Sequence, residues 1–287
     1  MRVHAISTGR VRIKRSQILG RGRGLARRFA PILDDEWSEW LPIYVFAVER
    51  GDGVVLVDAG ANAGCMRLPR WHPYFRRAVQ FDIEPEQEAG PQLRALGIAP
   101  SDVRLVVLTH LHIDHDGGLA AFPKARTLVS GRERAAASGL RGRLGGYLPQ
   151  RWPSSFDPEP FAFVDGPCGP FARSQRLTAD GALIALPTPG HTPGHVSVVL
   201  DDGERRVVFL GDASYSQDNL LAGRVDGVSP SEATTAATLK RLAALAAERP
   251  TLLLPTHQPG AADRLARAEA APTGGTSARL ATPGAPC

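Results

Sequence analysis

Three imidazoles and a carboxylate fall close together in Thr109-His110-Leu111-His112-Ile113-Asp114-His115. Folding alone gives no reason for that density, since histidine and aspartate are indifferent helix formers and aspartate is depleted from strands. A metal site does give one. Alternate residues of an extended segment share a face, so His110 and His112 can address one ion. A helical turn starting just after them swings Asp114 and His115 toward a second position beside the first. The apolar run Leu105-Val106-Val107-Leu108 reads as a buried strand, and Asp116-Gly117-Gly118 as the turn that follows the cluster. The ligands therefore stand at the C-terminal end of a strand, where α/β proteins place their chemistry.

Such a site needs further ligands from elsewhere, and the chain of 287 residues offers few. Of its eight histidines, His4 and His72 lie outside any motif, which leaves His191, His195 and His257 beyond the cluster. His191 sits in the stiff turn Pro189-Gly190-His191-Thr192-Pro193 before the run Val196-Ser197-Val198-Val199-Leu200. His257 follows Leu252-Leu253-Leu254, and Asp212 follows Val207-Val208-Phe209-Leu210. Each stands just past an apolar run, as His110 does. Imidazole and carboxylate donors without thiolate suit zinc, manganese, iron or cobalt as divalent ions, and geometry alone does not choose among them.

His-x-His-x-Asp-His, then Gly190-His191, Gly211-Asp212 and Thr256-His257, in that order, resemble the motifs of the metallo-β-lactamase superfamily. The likeness runs from Val54-Val55-Leu56-Val57-Asp58-Ala59-Gly60 to His257. It implies one metal on His110, His112 and His191, a second on Asp114, His115 and His257, and Asp212 bridging the two. Asp58 matches a family aspartate that orients ligands; as a turn residue ahead of Ala59-Gly60 it has an equally simple explanation. His195 has no ligand counterpart and reads as a structural histidine or one that orients a ligand.

Ligands spread from residue 110 to residue 257 must converge, so residues 1–268 read as one domain. Strands are expected near 43–48, 54–58, 105–109, 127–130, 183–186, 196–200, 207–210 and 252–255. Helices are expected near 84–97, 117–122, 131–137 and 230–249, the last capped at Ser229 with Pro230 in its first turn. This α/β pattern suits two mixed sheets packed face to face with helices outside, the αββα sandwich of the family. Residues 139–176, rich in Gly, Pro and Arg, read as a loop-rich insertion, either a cover for the site or a mobile segment. Residues 269–287, Ala/Pro/Gly/Thr with little charge, read as a disordered tail.

No apolar leader or membrane span is evident, and Cys65, Cys168 and Cys287 show no paired spacing, so a reduced, cytoplasmic protein is expected. The formal charge is +5, much of it early, at Arg10, Arg12, Lys14, Arg15, Arg21, Arg23, Arg27 and Arg28. A nuclease would use such a patch for phosphates. Arginine-rich chains also carry such charge as a solvated face, and no nucleic-acid partner is expected.

Two divalent ions sharing a water lower its pKa toward neutrality, so hydrolysis by hydroxide attack is the implied reaction. Redox members of this fold replace a cluster histidine with a carboxylate, and the cluster in this chain is intact. Gly211-Asp212-Ala213-Ser214-Tyr215 resembles the N-acyl-homoserine lactonases, in which a tyrosine three residues past the bridging aspartate faces the substrate carbonyl. The resemblance assigns Tyr215 as oxyanion donor and Asp114 as the group that passes a proton to the leaving alkoxide. The expected partner is a small lactone or other ester, and the chain could pair as a homodimer. Trp37, Trp40, Trp71, Tyr74, Phe75, Phe81, Tyr147 and Trp152 are candidates for an acyl-chain channel. A glyoxalase II-type thioesterase, a phosphodiesterase and a non-catalytic metal-binding protein are the competing readings.

Overall fold

The alternation of apolar side chains decides the layers. In Leu183, Ala185, Val198, Leu200, Leu252 and Leu254 one face of the strands points to a core shared with Phe46, Val55, Val57, Leu105, Val107 and Phe209. The residues between them, Ile184, Leu186, Val199 and Leu253, face the other way and pack on Leu239, Leu242 and Leu245 of a helix spanning Glu232–Glu248. Strands buried on both faces must be apolar at nearly every position, which is how these runs read. Each fully buried Leu, Ile, Val or Phe contributes about 1.5–3 kcal/mol, so this double burial is the main source of stability.

The computed structural model describes residues 1–203 and 205–268. One seven-stranded sheet has the order β4-β1-β2-β3-β5-β6-β7. Its strands are β1 (Arg2–Ile13), β2 (Leu41–Arg50), β3 (Gly53–Val57), β4 (Val79–Asp82), β5 (Val103–Val107), β6 (Arg126–Ser130) and β7 (Glu159–Phe161). A five-stranded sheet has the order β12-β11-β10-β9-β8. It comprises β8 (Gln175–Arg176), β9 (Leu183–Pro187), β10 (Val196–Asp201), β11 (Arg206–Gly211) and β12 (Thr251–Pro255). Phe46 of the first sheet and Phe209 of the second meet with ring centroids 5.1 Å apart. On the outer side of the first sheet, Val45, Leu56 and Val106 pack with Leu93 of the helix Ala89–Ala95. The result is the helix–sheet–sheet–helix sandwich expected from the sequence.

Every expected strand is present. The expected helix over 84–97 resolves into a 3-10 turn at Pro85–Gln87 and a helix at Ala89–Ala95, and 117–122 is a 3-10 turn at Gly117–Ala121. The helix expected to be capped by Ser229 is capped instead by Ser231, whose hydroxyl accepts from the Thr234 N–H. Ser229 is engaged elsewhere, donating to Asp226 at 2.6 Å.

The basic N-terminal stretch departs most from expectation. It forms the end of β1 and the helices Arg15–Leu19 and Gly24–Leu33, and Lys14 and Arg27, expected to be solvated, are buried. Lys14 Nζ lies 3.8 Å from the centre of the Trp37 ring, and Arg27 donates to the carbonyls of Gly20 and Asp226. Residues 139–176 add the edge strand β7 to one sheet and β8 to the other. Cys65 is a buried free thiol, and Cys168 is buried too. The stretch 269–287, expected to be disordered, lies outside the described residues. No helix among the described residues is long and apolar enough to cross a membrane.

Parallel pairing sets the position of the site. β3 runs parallel to β5, and β11 parallel to β12, so the C-terminal ends of each pair open on the same edge of their sheet. Asp58 directly follows β3, and Asp212 directly follows β11.

Candidate metal centre

His110 and His112 lie on the extended segment after β5, and the chain then turns into the short helix Ile113–Asp116. That turn carries Asp114 and His115 away from the first pair, as the sequence implies. His191 arrives from the loop between β9 and β10, and His257 from just beyond β12. The structure brings all seven expected ligands together as three overlapping donor groups. These are His110, His112 and His191; His110, His115 and Asp212; and Asp114, His115 and His257.

The first group is tight. His112 Nδ1 lies 3.0 Å from His110 Nε2 and 3.0 Å from His191 Nε2. Nitrogens bound at ~2.0–2.1 Å around a tetrahedral ion sit about 3.3 Å apart, so this spacing suits one metal. Asp212 spans the two halves. Its Oδ2 lies 3.5 Å from His191 Nε2, while its Oδ1 lies 3.4 Å from His115 Nε2 and 3.3 Å from His257 Nε2. Asp114 Oδ2 is 3.4 Å from His257 Nε2 on the far side.

The surrounding hydrogen bonds fix which nitrogen turns inward in four of the rings, those of His110, His112, His115 and His257. His257 Nδ1 is 2.9 Å from the Pro42 carbonyl, which can only accept, so the proton sits there and Nε2 faces the site. His112 Nε2 likewise faces the Gly145 carbonyl at 3.3 Å, leaving Nδ1 inward. Asp58 Oδ2 takes His115 Nδ1–H at 2.8 Å and the Thr109 hydroxyl at 2.9 Å; the Thr109 oxygen in turn accepts from His110 Nδ1 at 3.1 Å. Asp58 is therefore more than a turn residue: it orients two rings. It does so from the left-handed region, φ 64°, a conformation that costs a non-glycine residue about 1–3 kcal/mol.

Two buried atoms at the centre, His115 Nε2 and Asp212 Oδ1, have no hydrogen-bond partner among the described residues. Buried polar atoms are rarely left unpaired, so an inward-facing orphan donor set fits a divalent ion. The electrostatics agree. Burial, then the charge on His191, pushes His112 down to about 3, so its imidazole is neutral and ready to ligate. Burial opposes charging His257, but the carboxylate of Asp212 outweighs it and lifts His257 to about 10.

His195 resolves to an orienting role. Its Nε2 accepts the backbone N–H of Asp212 at 3.0 Å, while Nδ1 lies 2.9 Å from Thr188 Oγ1. Gly211 must be glycine for this to fit: φ is 56°, and a Cβ would lie 2.8 Å from His195 Nε2. Sequence reasoning missed Glu133, which is fully buried. Its Oε1 accepts from the Leu111 N–H at 3.1 Å and the Tyr147 hydroxyl at 2.9 Å. Its Oε2 accepts from Thr192 at 2.8 Å and the Gly194 N–H at 3.0 Å. One carboxylate thus ties the His110–His112 segment to the His191 loop. No local pattern marks it, because a single glutamate in a short helix is ordinary.

The cluster opens into a cavity of about 760 Å³. Tyr215, Tyr74, Phe75, Phe81 and Tyr147 line it, whereas Trp37, Trp40, Trp71 and Trp152 do not. Trp37 and Trp40 instead stack on Arg12, and Trp152 Nε1 donates to Asp116 at 2.6 Å. Phe29 and Ile32, from the helix Gly24–Leu33, complete the apolar wall and were not anticipated. Residues 144–147 of the 139–176 stretch border the cavity.

The chain is similar to several known proteins. The chain is 36% identical over 185 residues to a probable metallo-hydrolase of Mycobacterium tuberculosis, covering 62% of this chain and 58% of that relative. It is 28% identical over 228 residues to the N-acyl homoserine lactonase AttM of Agrobacterium fabrum, covering 77% of this chain and 83% of the relative. Among solved structures, an N-acyl homoserine lactone hydrolase with N-hexanoyl-L-homoserine at its catalytic metal centre superposes with TM-score 0.69 at 20% identity, over 89% of this chain and 92% of the other. A dizinc quorum-quenching lactonase superposes with TM-score 0.63 at 16% identity, over 90% and 87%. The sequence pattern of the metallo-beta-lactamase superfamily matches residues 38–257, and the chain belongs to that superfamily.

Proposed function

We propose that the chain is a dinuclear metal-dependent hydrolase that opens the lactone ring of N-acyl-homoserine lactones. The observation that carries this reading is one apolar cavity holding His112, Asp114, His191, Asp212, His257 and the Tyr215 side chain together. The likeness to the AttM lactonases supports it. Zinc is the proposed metal, held by His110, His112 and His191 on one side and Asp114, His115 and His257 on the other, with Asp212 between. When bound, the ions supply a nucleophilic water at neutral pH and polarise the carbonyl.

The protein's own groups supply the rest. Burial, then the charge on Asp212, pushes the Tyr215 phenol well above its usual range, so it stays protonated and acts as a donor. It would donate to the carbonyl oxygen as negative charge develops there. Asp114 is 14% exposed, open to the cavity, and would hand a proton to the leaving alkoxide. The apolar wall would hold the acyl chain and exclude bulk water. We read residues 1–268 as one domain, working in the cytoplasm on small molecules rather than nucleic acid, with a homodimer as the proposed assembly.

A pH-stat assay on metal-quantified protein tests the substrate class. The panel is short- and long-chain N-acyl-homoserine lactones, a simple γ-lactone, S-lactoylglutathione and bis-p-nitrophenyl phosphate. Acyl-homoserine lactones are expected to turn over fastest. Turnover of only the thioester or the phosphodiester would overturn the assignment while leaving the ligand set standing.

Metal uptake should also release protons. Burial opposes charging His115, but Asp58 and Asp212 hold it well above its usual value, and His257 stands at about 10. Both rings are therefore protonated in the metal-free chain at pH 7.5, and ligation requires them neutral. The sign for stability follows: the His257 contribution to the metal-free fold is complete below about pH 6.5 and is lost as pH rises through about 10, and His115, also raised, acts in the same direction. Titrating zinc calorimetrically in buffers of different ionisation enthalpy should show about two or more protons released per chain. A value near zero would mean that His115 and His257 are already neutral before the metal binds.

A further inference from the structure

The hydroxyl of Tyr215 can serve a substrate only if its single proton is not already committed. Among the described residues its hydrogen-bond partner is Gln17, whose Nε2 lies 2.6 Å from the phenol oxygen. Gln17 belongs to the short helix Arg15–Leu19, is 3% exposed, and lies far from every motif. Its backbone is held on both sides: its N–H donates to the Lys14 carbonyl at 2.9 Å, and its carbonyl accepts from Gly227 at 2.6 Å. Its side chain is held too, because the Tyr74 hydroxyl donates to Oε1 at 2.9 Å.

As placed in the structure, the amide turns Oε1 to Tyr74 and its NH₂ to Tyr215. An amide oxygen accepts and an amide nitrogen donates. The Tyr215 oxygen is then an acceptor toward Gln17, and its proton is left for another partner. Accepting a bond also polarises the O–H and strengthens its own donation. Tyr215 stands beside the ligands, its ring centroid 6.0 Å from that of His257 and 6.4 Å from that of His191. Tyr215 lines the same cavity as the ligands His112, Asp114, His191, Asp212 and His257.

We propose that Gln17 is a positioning residue for hydrolysis: its amide, held between Tyr74 and Tyr215, donates to the Tyr215 oxygen and so reserves the Tyr215 proton for the substrate carbonyl. This rests on the oxyanion role proposed for Tyr215. Had the amide the opposite sense, the glutamine would consume the very proton that the substrate needs.

Gln17→Glu separates the two cases, since it keeps the shape and replaces the donor by an acceptor. The metal-loaded variant, assayed on whichever substrate of the panel turns over fastest, is expected to lose kcat at pH 8 about as far as Tyr215→Phe does. KM and metal content should hold. Relative to wild type, the variant should recover as pH falls and the new carboxyl takes up a proton it can donate, a profile that a merely structural defect would not produce. In a Tyr215→Phe background Gln17→Glu should add nothing. Full kcat in Gln17→Glu, or the same loss with and without the Tyr215 hydroxyl, would overturn the proposal alone. Wild-type turnover in Tyr215→Phe would remove the oxyanion reading and this proposal together.

Discussion

Asp212→Ala is expected to strip the chain of stably bound metal and to lower turnover by at least about 10³-fold. Among the described residues, Asp212 is the one side chain whose two oxygens approach both halves of the cluster, Oδ2 toward His191 and Oδ1 toward His115 and His257. Sharing the roughly 10–16 kcal/mol of a four-ligand zinc site evenly gives about 2.5–4 kcal/mol per ligand, or ~10²–10³ in affinity for each ion. Both ions suffer at once. The substitution also removes the anion that balances His115 and His257 in the metal-free state. Metal analysis after desalting should give less than one ion per chain, against two in the wild type. Asp218→Ala, an exposed carboxylate six residues on, should retain both metal and activity. Two ions and near-normal turnover in Asp212→Ala would remove the bridging role.

Tyr215→Phe is the second large effect, and it should separate chemistry from binding. Loss of one oxyanion donor typically costs about 10²–10³ in kcat, or ~2.7–4 kcal/mol. Tyr215 is 5% exposed and keeps its ring contacts as phenylalanine, so fold and metal content should be unaffected. KM should change little, because the hydroxyl acts where charge develops rather than in the ground state. Steady-state kinetics on metal-quantified protein decide it. Unchanged kcat with two metals bound would return Tyr215 to the cavity wall.

The candidate ligands were legible in the sequence for a physical reason. Polar residues directly past strongly apolar strands have few structural uses, and His110, Asp212 and His257 all stand there. The inner core was legible because strands such as β9 and β12 are apolar at nearly every position. β1 was not. Its pairing with β2 shifts register between Ser7 and Arg10, so the inward residues Ile6, Val11 and Ile13 do not keep one alternating phase. Charged residues on its other positions completed the disguise. The cavity wall was only half legible. Tyr74, Phe75, Phe81 and Tyr147 line it, but so does Phe29, from a helix whose sequence gives no hint of what it faces. Gln17 and Glu133 were invisible, since each acts through partners far away in sequence: Gln17 with Tyr215 and Glu133 with Thr192.

Restoring metal to chelated protein while following N-acyl-homoserine lactone opening tests the central claim most directly. Each zinc addition would be paired with an initial rate and a measured metal content. The account predicts no ring opening in the metal-free chain, a rise that levels off at two ions per chain, and kcat/KM above about 10⁴ M⁻¹s⁻¹ at the plateau. Ring opening that persists without metal, or a chain loaded with two ions that leaves the lactone intact, would contradict it.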